Sequence, residues 1–210
     1  MKVSELEKEV GGLSKPSKMP GFAYGIPAQD CILGSILRRK AGSVCHKCYA
    51  LKGMYVFPCV KKAQARRLNI IRTDIVSWML AMTELISRKL AKREKVFRWH
   101  DSGDLQSLEH LTAIVSIAME LPTVKFWLPT RERGMVADWQ RMHGAFPRNL
   151  VVRLSATMVG QSATPLAGVL SSTVGAGEGH ACPAYKQGGQ CGDCRACWNP
   201  SVASVDYPLH

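Results

Sequence analysis

The sequence predicts an α/β fold: a partial (incomplete) parallel β/α barrel with cysteine-rich N- and C-terminal loops. Three observations predict it. Strand-like runs at 96–100, 124–128 and 150–154 alternate with helical patterns of about 10–15 residues, which is the pattern of β-α-β units and a parallel sheet. Each run ends in polar residues, where parallel α/β sheets bind their ligands. Seven of the eight cysteines fall into two tight groups that flank the alternating stretch. Three visible strands suit an incomplete barrel better than a closed eight-unit one.

The chain of 210 residues reads as one domain over 1–210. Residues 1–30 lack periodicity and contain Gly11, Gly12, Pro16, Pro20, Gly21 and Pro27, so an extended arm or lid is expected there. Residues 31–59 form the first cysteine loop. A β/α core follows over 60–158. Within it one helix is expected from about Val60 and a stronger one from Asp74 to about Arg93. Asp74 suits an N-cap, and Ile75, Met79, Met82, Leu85, Ile86 and Leu90 recur at helical spacing. Arg88, Lys89, Lys92 and Arg93 crowd the end of that helix, where cations suit its dipole. After the first strand, a helix is expected from Leu108 to Leu121, stopped by Pro122, and a shorter one from Met135 to about Phe146. Residues 159–210 turn small and glycine-rich and form the second cysteine loop. No internal repeat is present.

Composition narrows the class. At 46% hydrophobic and 21% charged, the chain is no disordered segment. The N-terminus is charged and polar, unlike a secretory signal. No apolar run reaches the roughly 18 residues that span a bilayer, so no membrane partner is expected. The expected location is the cytoplasm, where grouped cysteines mean metal or redox chemistry rather than disulfides. The net charge is +12, and ten of the basic residues fall between Arg38 and Arg72. That stretch reads either as a contact for nucleic acid or another anionic partner, or as a solvated face.

The first cysteine group is Cys31, Cys45 and Cys48, spaced C-x13-C-x2-C; the second is Cys182, Cys191, Cys194 and Cys197, spaced C-x8-C-x2-C-x2-C. Structural zinc sites draw on two separated knuckles, whereas a C-x2-C-x2-C run with a fourth cysteine elsewhere is closer to ferredoxin-type ligation. Pro183 after Cys182 echoes the C-P step of that pattern, and Gly188 and Gly189 allow a tight fold. An iron–sulfur cluster is therefore expected at the C-terminal site, with zinc as the alternative. The N-terminal group has only three thiols. Either one iron of a four-iron cluster stays open to a substrate or cofactor, or Cys59, His46 or His180 completes the set. Cys59, beside Phe57, Pro58 and Val60, otherwise reads as a small buried hydrophobe.

The strand ends supply candidate binding residues: Ser102, Gly103 and Asp104 beyond the first, Thr130 and Arg131 beyond the second, Arg153 and Ser155 at the third. Any one of these suits a cap or turn equally well. Arg153, inside an apolar strand, needs a carboxylate or ligand partner if it is buried.

The stretches CHKCYA at Cys45–Ala50, WHDSGDL from Trp99 and CPAYKQGGQCGDCRACW from Cys182 resemble the phage-encoded gene product 88 family over most of 15–198, the terminal cysteine run being the most specific part. The chain is more distantly similar to radical S-adenosylmethionine (SAM) enzymes, whose cysteine spacing is C-x3-C-x2-C. That likeness implies a four-iron cluster on Cys31, Cys45 and Cys48, with SAM resting near Ser102, Gly103 and Asp104. Three functions follow as expectations. The first is an enzyme with one or two [4Fe–4S] clusters and SAM, acting on a small-molecule substrate in a phage host's cytoplasm. The second is an electron carrier or structural cluster protein acting on a host redox partner. The third is a zinc-stabilised nucleic-acid-binding protein.

Overall fold

In a computed structural model, which describes residues 1–209, the chain is a mixed α/β protein built on one open sheet of seven parallel strands. The last position of the second expected cysteine loop, 210, lies outside the described residues. The strands are β1 (Phe22–Tyr24), β2 (Val96–Trp99), β3 (Lys125–Thr130), β4 (Leu150–Ser155), β5 (Leu170–Val174), β6 (His180–Ala181) and β7 (Ser204–Tyr207), in spatial order β1-β2-β3-β4-β5-β7-β6. The helices are α1 (Val3–Val10), α2 (Ile32–Leu37), α3 (Pro58–Thr73), α4 (Ile75–Leu90), α5 (Leu108–Glu120) and α6 (Arg133–His143).

The expected strands and helices of the middle stretch occur within a few residues of their expected bounds. The second and third strands each run further, to Thr130 and Ser155. Asp74 caps α4, its Oδ1 accepting the Ser77 N–H at 3.0 Å, and Ser107 caps α5 by accepting the His110 N–H at 3.2 Å. Gly144, at φ 85°, ends α6 three residues before Pro147 and short of the expected Phe146. Residues 1–30, expected as an extended arm, instead hold α1 and β1. Leu6 and Val10 of α1 are buried, Glu7 pairs with Lys89 of α4 at 2.6 Å, and the Tyr24 hydroxyl donates to the Val10 carbonyl at 2.6 Å.

Because β1 to β5 run in chain order with no reversal, right-handed crossovers put α5 and α6 on one face of the sheet. Phe22, Tyr24, Phe97, Trp99, Phe126, Leu128, Leu150, Val152 and Leu154 point to that face and form one core with Trp78, Leu85, Leu111, Ile114 and Val136 of the helices. Each such side chain contributes about 1.5–3 kcal/mol on burial. The other face carries Val96, Arg98, Trp127 and Arg153, and there Trp198 packs edge-on against Trp127 and donates its indole N–H to the Phe97 carbonyl at 2.9 Å. The second cysteine segment, which joins β6 to β7, thus covers the face that the helices leave open. The free edge of β1 is covered by a two-bond antiparallel bridge to Ser14.

Candidate metal centres at the two cysteine groups

The first cysteine segment is tied to the carboxyl ends of three strands. The Glu132 carboxylate, just past β3, accepts the Leu33 N–H at 2.8 Å. The Thr157 carbonyl, past β4, accepts the Val44 N–H at 3.0 Å. The Asp101 carbonyl, past β2, accepts the Tyr49 hydroxyl at 2.7 Å. These ties place Cys31 at the N-cap of α2 and Cys48 at the start of a 3-10 turn over Tyr49–Leu51. A methyl group on Gly34 would stand 2.7 Å from Cys31 Cβ, 3.5 Å from Cys31 Sγ and 3.8 Å from Cys45 Sγ, so both sulfurs border the space that glycine leaves open.

Beside these thiols lie two expected binding residues. Asp104 is buried and strapped in place: its carboxylate accepts the Thr130 hydroxyl at 2.6 Å, the Leu105 N–H at 2.8 Å and the Arg131 N–H at 2.9 Å. Burial pushes its carboxyl above the usual range, against the pull of those hydrogen bonds. Burial likewise raises the Cys31 thiol, as do Asp104, Cys48 and Cys45, while Arg131 opposes them. Burial raises the Cys45 thiol, and Arg131 again favours its thiolate. Crowded thiols of this kind ionise together only if a cation joins them. Ser102 and Gly103 form the turn that carries Asp104. The Ser102 hydroxyl donates to the Ile26 carbonyl at 2.8 Å, and Gly103, at φ 82°, passes Ile26 so closely that a Cβ would stand 2.4 Å from its side chain.

The second group converges between β6 and β7. Burial raises the Cys191 thiol, as do Cys182 and Cys194, and burial, with a smaller push from Cys182, drives the Cys197 thiol up to about 11. Cys194 Sγ lies 3.4 Å from His180 Nε2, and Cys197 Sγ lies 3.2 Å from the Tyr207 hydroxyl. Arg195 ties this segment to Glu94 through a bidentate ion pair. Arg153, expected as a binding residue, is a pin for the same segment. Its five N–H groups go to the carbonyls of Cys197, Ser171, Ala203, Ala196 and Asn199 at 3.2, 3.1, 3.5, 2.9 and 3.0 Å. None is left for a ligand. Ser155 shares a hydrogen bond with Ser172 of β5 at 3.0 Å. Among the described residues, no group of three or more His, Cys, Asp or Glu side chains is arranged to hold a single metal ion.

A family model described as gene product 88 matches residues 2–161. The chain belongs to the gene product 88 family. The match takes in the first cysteine group and strands β1 to β4 and stops before Cys182, so the terminal cysteine run, expected as the most specific part of the likeness, lies outside it. No curated protein and no solved structure matches the chain. In this gene product 88 chain Cys59 is exposed at the first turn of α3, not buried as its apolar neighbours suggest. The His46 ring nitrogen Nδ1 sits 3.0 Å from the Arg38 carbonyl. No helix among the described residues is long and apolar enough to cross a membrane.

One further residue, Arg98, is not singled out by the sequence. Its guanidinium donates to the Tyr49 hydroxyl at 3.1 Å, lies 4.5 Å from the centre of the Trp127 ring, and favours the thiolates of Cys191 and Cys197. It thus stands between the two cysteine groups of the gene product 88 chain. The signal was an arginine alternating with apolar residues in β2, the same signal that singled out Arg153.

Proposed function

We propose that the protein binds iron–sulfur clusters: a [4Fe–4S] cluster on Cys31, Cys45 and Cys48 with one iron free of protein thiolate, and a second cluster on Cys182, Cys191, Cys194 and Cys197. The sheet is read as an incomplete barrel, because its strands run in chain order with helices on one face. The observation that carries the proposal is the gathering of three thiols at the carboxyl ends of β2, β3 and β4, beside a strapped aspartate and an arginine. A cubane takes each thiolate on a different iron, whereas zinc needs four donors about one point, an arrangement not found among the described residues.

S-adenosylmethionine is the proposed ligand of the open iron. A reduced cluster would supply the electron for cleaving its sulfonium bond. The chain's own residues bind and orient. A carboxylate has about four acceptor sites, and three of Asp104's are taken, so one remains for an ammonium group. Arg131 favours the thiolate forms of Cys31 and Cys45. The test is anaerobic incubation with dithionite and SAM. 5′-Deoxyadenosine in the wild type but not in Cys45→Ser supports the proposal. A reducible cluster without cleavage turns it into an electron carrier.

The exposed side chains of Lys40, Lys47, Lys52, Lys61, Lys62 and Arg66 favour an anionic macromolecule as a partner, with nucleic acid the proposed class. Binding to a random duplex with a steep salt slope would support it.

A further inference from the structure

A cavity of about 390 Å³ beside Arg72 and Gln106 is lined by groups that already have partners. A second cavity is different. It measures about 230 Å³, lies against α3 and the end of β2, and has Ser14, Tyr55, Cys59, Gln64, Arg67 and Asp101 in its wall. None of the seven grouped cysteines lines it.

Two buried groups of opposite charge face this space without satisfying each other. Asp101 is only 6% exposed, and the Oδ1 of its carboxylate is buried with no hydrogen-bond partner among the described residues. Its Oδ1 is pressed against Gly25, where a Cβ would stand 2.4 Å away, so only glycine allows the carboxylate to sit there. Arg67 is 7% exposed. Its Nε donates to the Gly11 carbonyl, and its Nη1 donates to the Ser14 hydroxyl and the Gly25 carbonyl at 2.9 and 3.0 Å. Among the described residues, the two N–H groups of Nη2 have no partner and no ion pair joins Arg67 to Asp101. The side chain of Gln64, also buried, lies in the same wall.

A buried carboxylate oxygen without a donor is costly, and the guanidinium groups of Arg98 and Arg67, which favour the charged form through space, offset that cost only in part because neither touches it. A ligand that carries both charges relieves both groups. We propose that this cavity binds a free α-amino acid, its ammonium group donating to the Asp101 carboxylate and its carboxylate accepting from Arg67 Nη2, with Gln64 as a further polar contact. The volume lies below the roughly 300–1,000 Å³ of clefts for drug-sized ligands, so a small amino acid suits it and a nucleoside does not. The cavity wall is distinct from both cysteine groups.

Isothermal titration calorimetry of the full chain tests this with glycine, L-alanine, L-serine and L-methionine, against ethylamine and acetate as single-charge probes. At least one amino acid is expected to bind, and both single-charge probes to bind at least about tenfold more weakly. Asp101→Asn is expected to weaken binding about tenfold or more, the loss of one charged hydrogen bond. Ala63→Leu, which narrows the cavity from an apolar part of its wall, is expected to abolish binding while the chain stays folded. The proposal is overturned if no amino acid binds, if ethylamine binds as well as the amino acids, or if Asp101→Asn and Ala63→Leu both bind like the wild type. It is also overturned if SAM binds there and no free amino acid does.

Discussion

Replacing Arg153 should release the second cysteine segment. The guanidinium is wholly buried and gives all five N–H groups to carbonyls, four of which lie at 196–203. Three of the five acceptors keep a backbone donor when it is removed: Ala196 from Asn199, Asn199 from Val202 and Ala203 from Ser171. Ser171 lies within the β5–β7 ladder, so the loss falls on one or two carbonyls, at about 1–3 kcal/mol each, partly offset because a cation is no longer buried. Arg153→Met should cost about 2–4 kcal/mol in denaturant unfolding. Arg153→Lys should be no rescue: it keeps the buried charge but offers three donors without the planar fork, for a cost of about 3–5 kcal/mol. In both variants Cys197, whose carbonyl accepts from Arg153 Nε, should be alkylated faster under native conditions. The reasoning fails if Arg153→Met unfolds within about 1 kcal/mol of the wild type with unchanged Cys197 alkylation, or if Arg153→Lys matches the wild type.

Other outcomes are expected from the same structure. His100 and His110 are buried edge-to-face at 5.3 Å with no partner for any ring nitrogen, and burial pushes His110 down to about 3 and His100 well below its usual range. The unfolded chain takes up protons below about pH 6.5 that the folded chain refuses, so this pair lowers stability as pH falls from there. Buried Asp101 and Asp104, raised in the fold, act in the opposite direction, so the comparison must be with His110→Leu. The variant's stability should fall less steeply than the wild type's below pH 6, by about 1.4 kcal/mol per pH unit, and equal slopes would count against the burial argument. Gly34→Ala would be mild or helpful on helix propensity alone, yet its methyl group would stand 2.7 Å from Cys31 Cβ. Iron per chain after anaerobic purification should drop in this variant, and full wild-type iron would show that the space beside Gly34 is not used. Asp104→Asn sets an amide N–H₂ against at least one of three donors and should cost about 1–3 kcal/mol in thermal or denaturant unfolding. It should also speed Cys31 alkylation, because Asp104 raises that thiol.

The middle of the fold was legible because its signals are strong and local. The runs at β2, β3 and β4 are apolar enough to stand out, and α4 and α5 combine apolar periodicity with an Asp or Ser cap. Helix α1 was not legible: only Leu6 and Val10 of its eight residues are buried, and the rest read as a charged tail. Strand β1 is three residues long, and β5, β6 and β7 carry serine, threonine, histidine and aspartate where an apolar run is the usual signal. At the site, spacing alone indicated which cysteines belong together. Partners were harder. Arg153 was expected to need a ligand because its acceptors are backbone carbonyls, which no side-chain pattern records. The role of Arg98 is not legible because its neighbours, Tyr49 and Tyr207, come from segments distant in the chain, and Asp101 reads only as one more polar strand-end residue because Gly25 and Arg67 are equally distant.

The most direct test of the central claim is the iron and acid-labile sulfide content of the full chain, purified without oxygen. Two [4Fe–4S] clusters require about eight of each per chain, falling by about half when Cys191 and Cys194 are both replaced by serine. A colourless protein with stoichiometric zinc and no sulfide would contradict it.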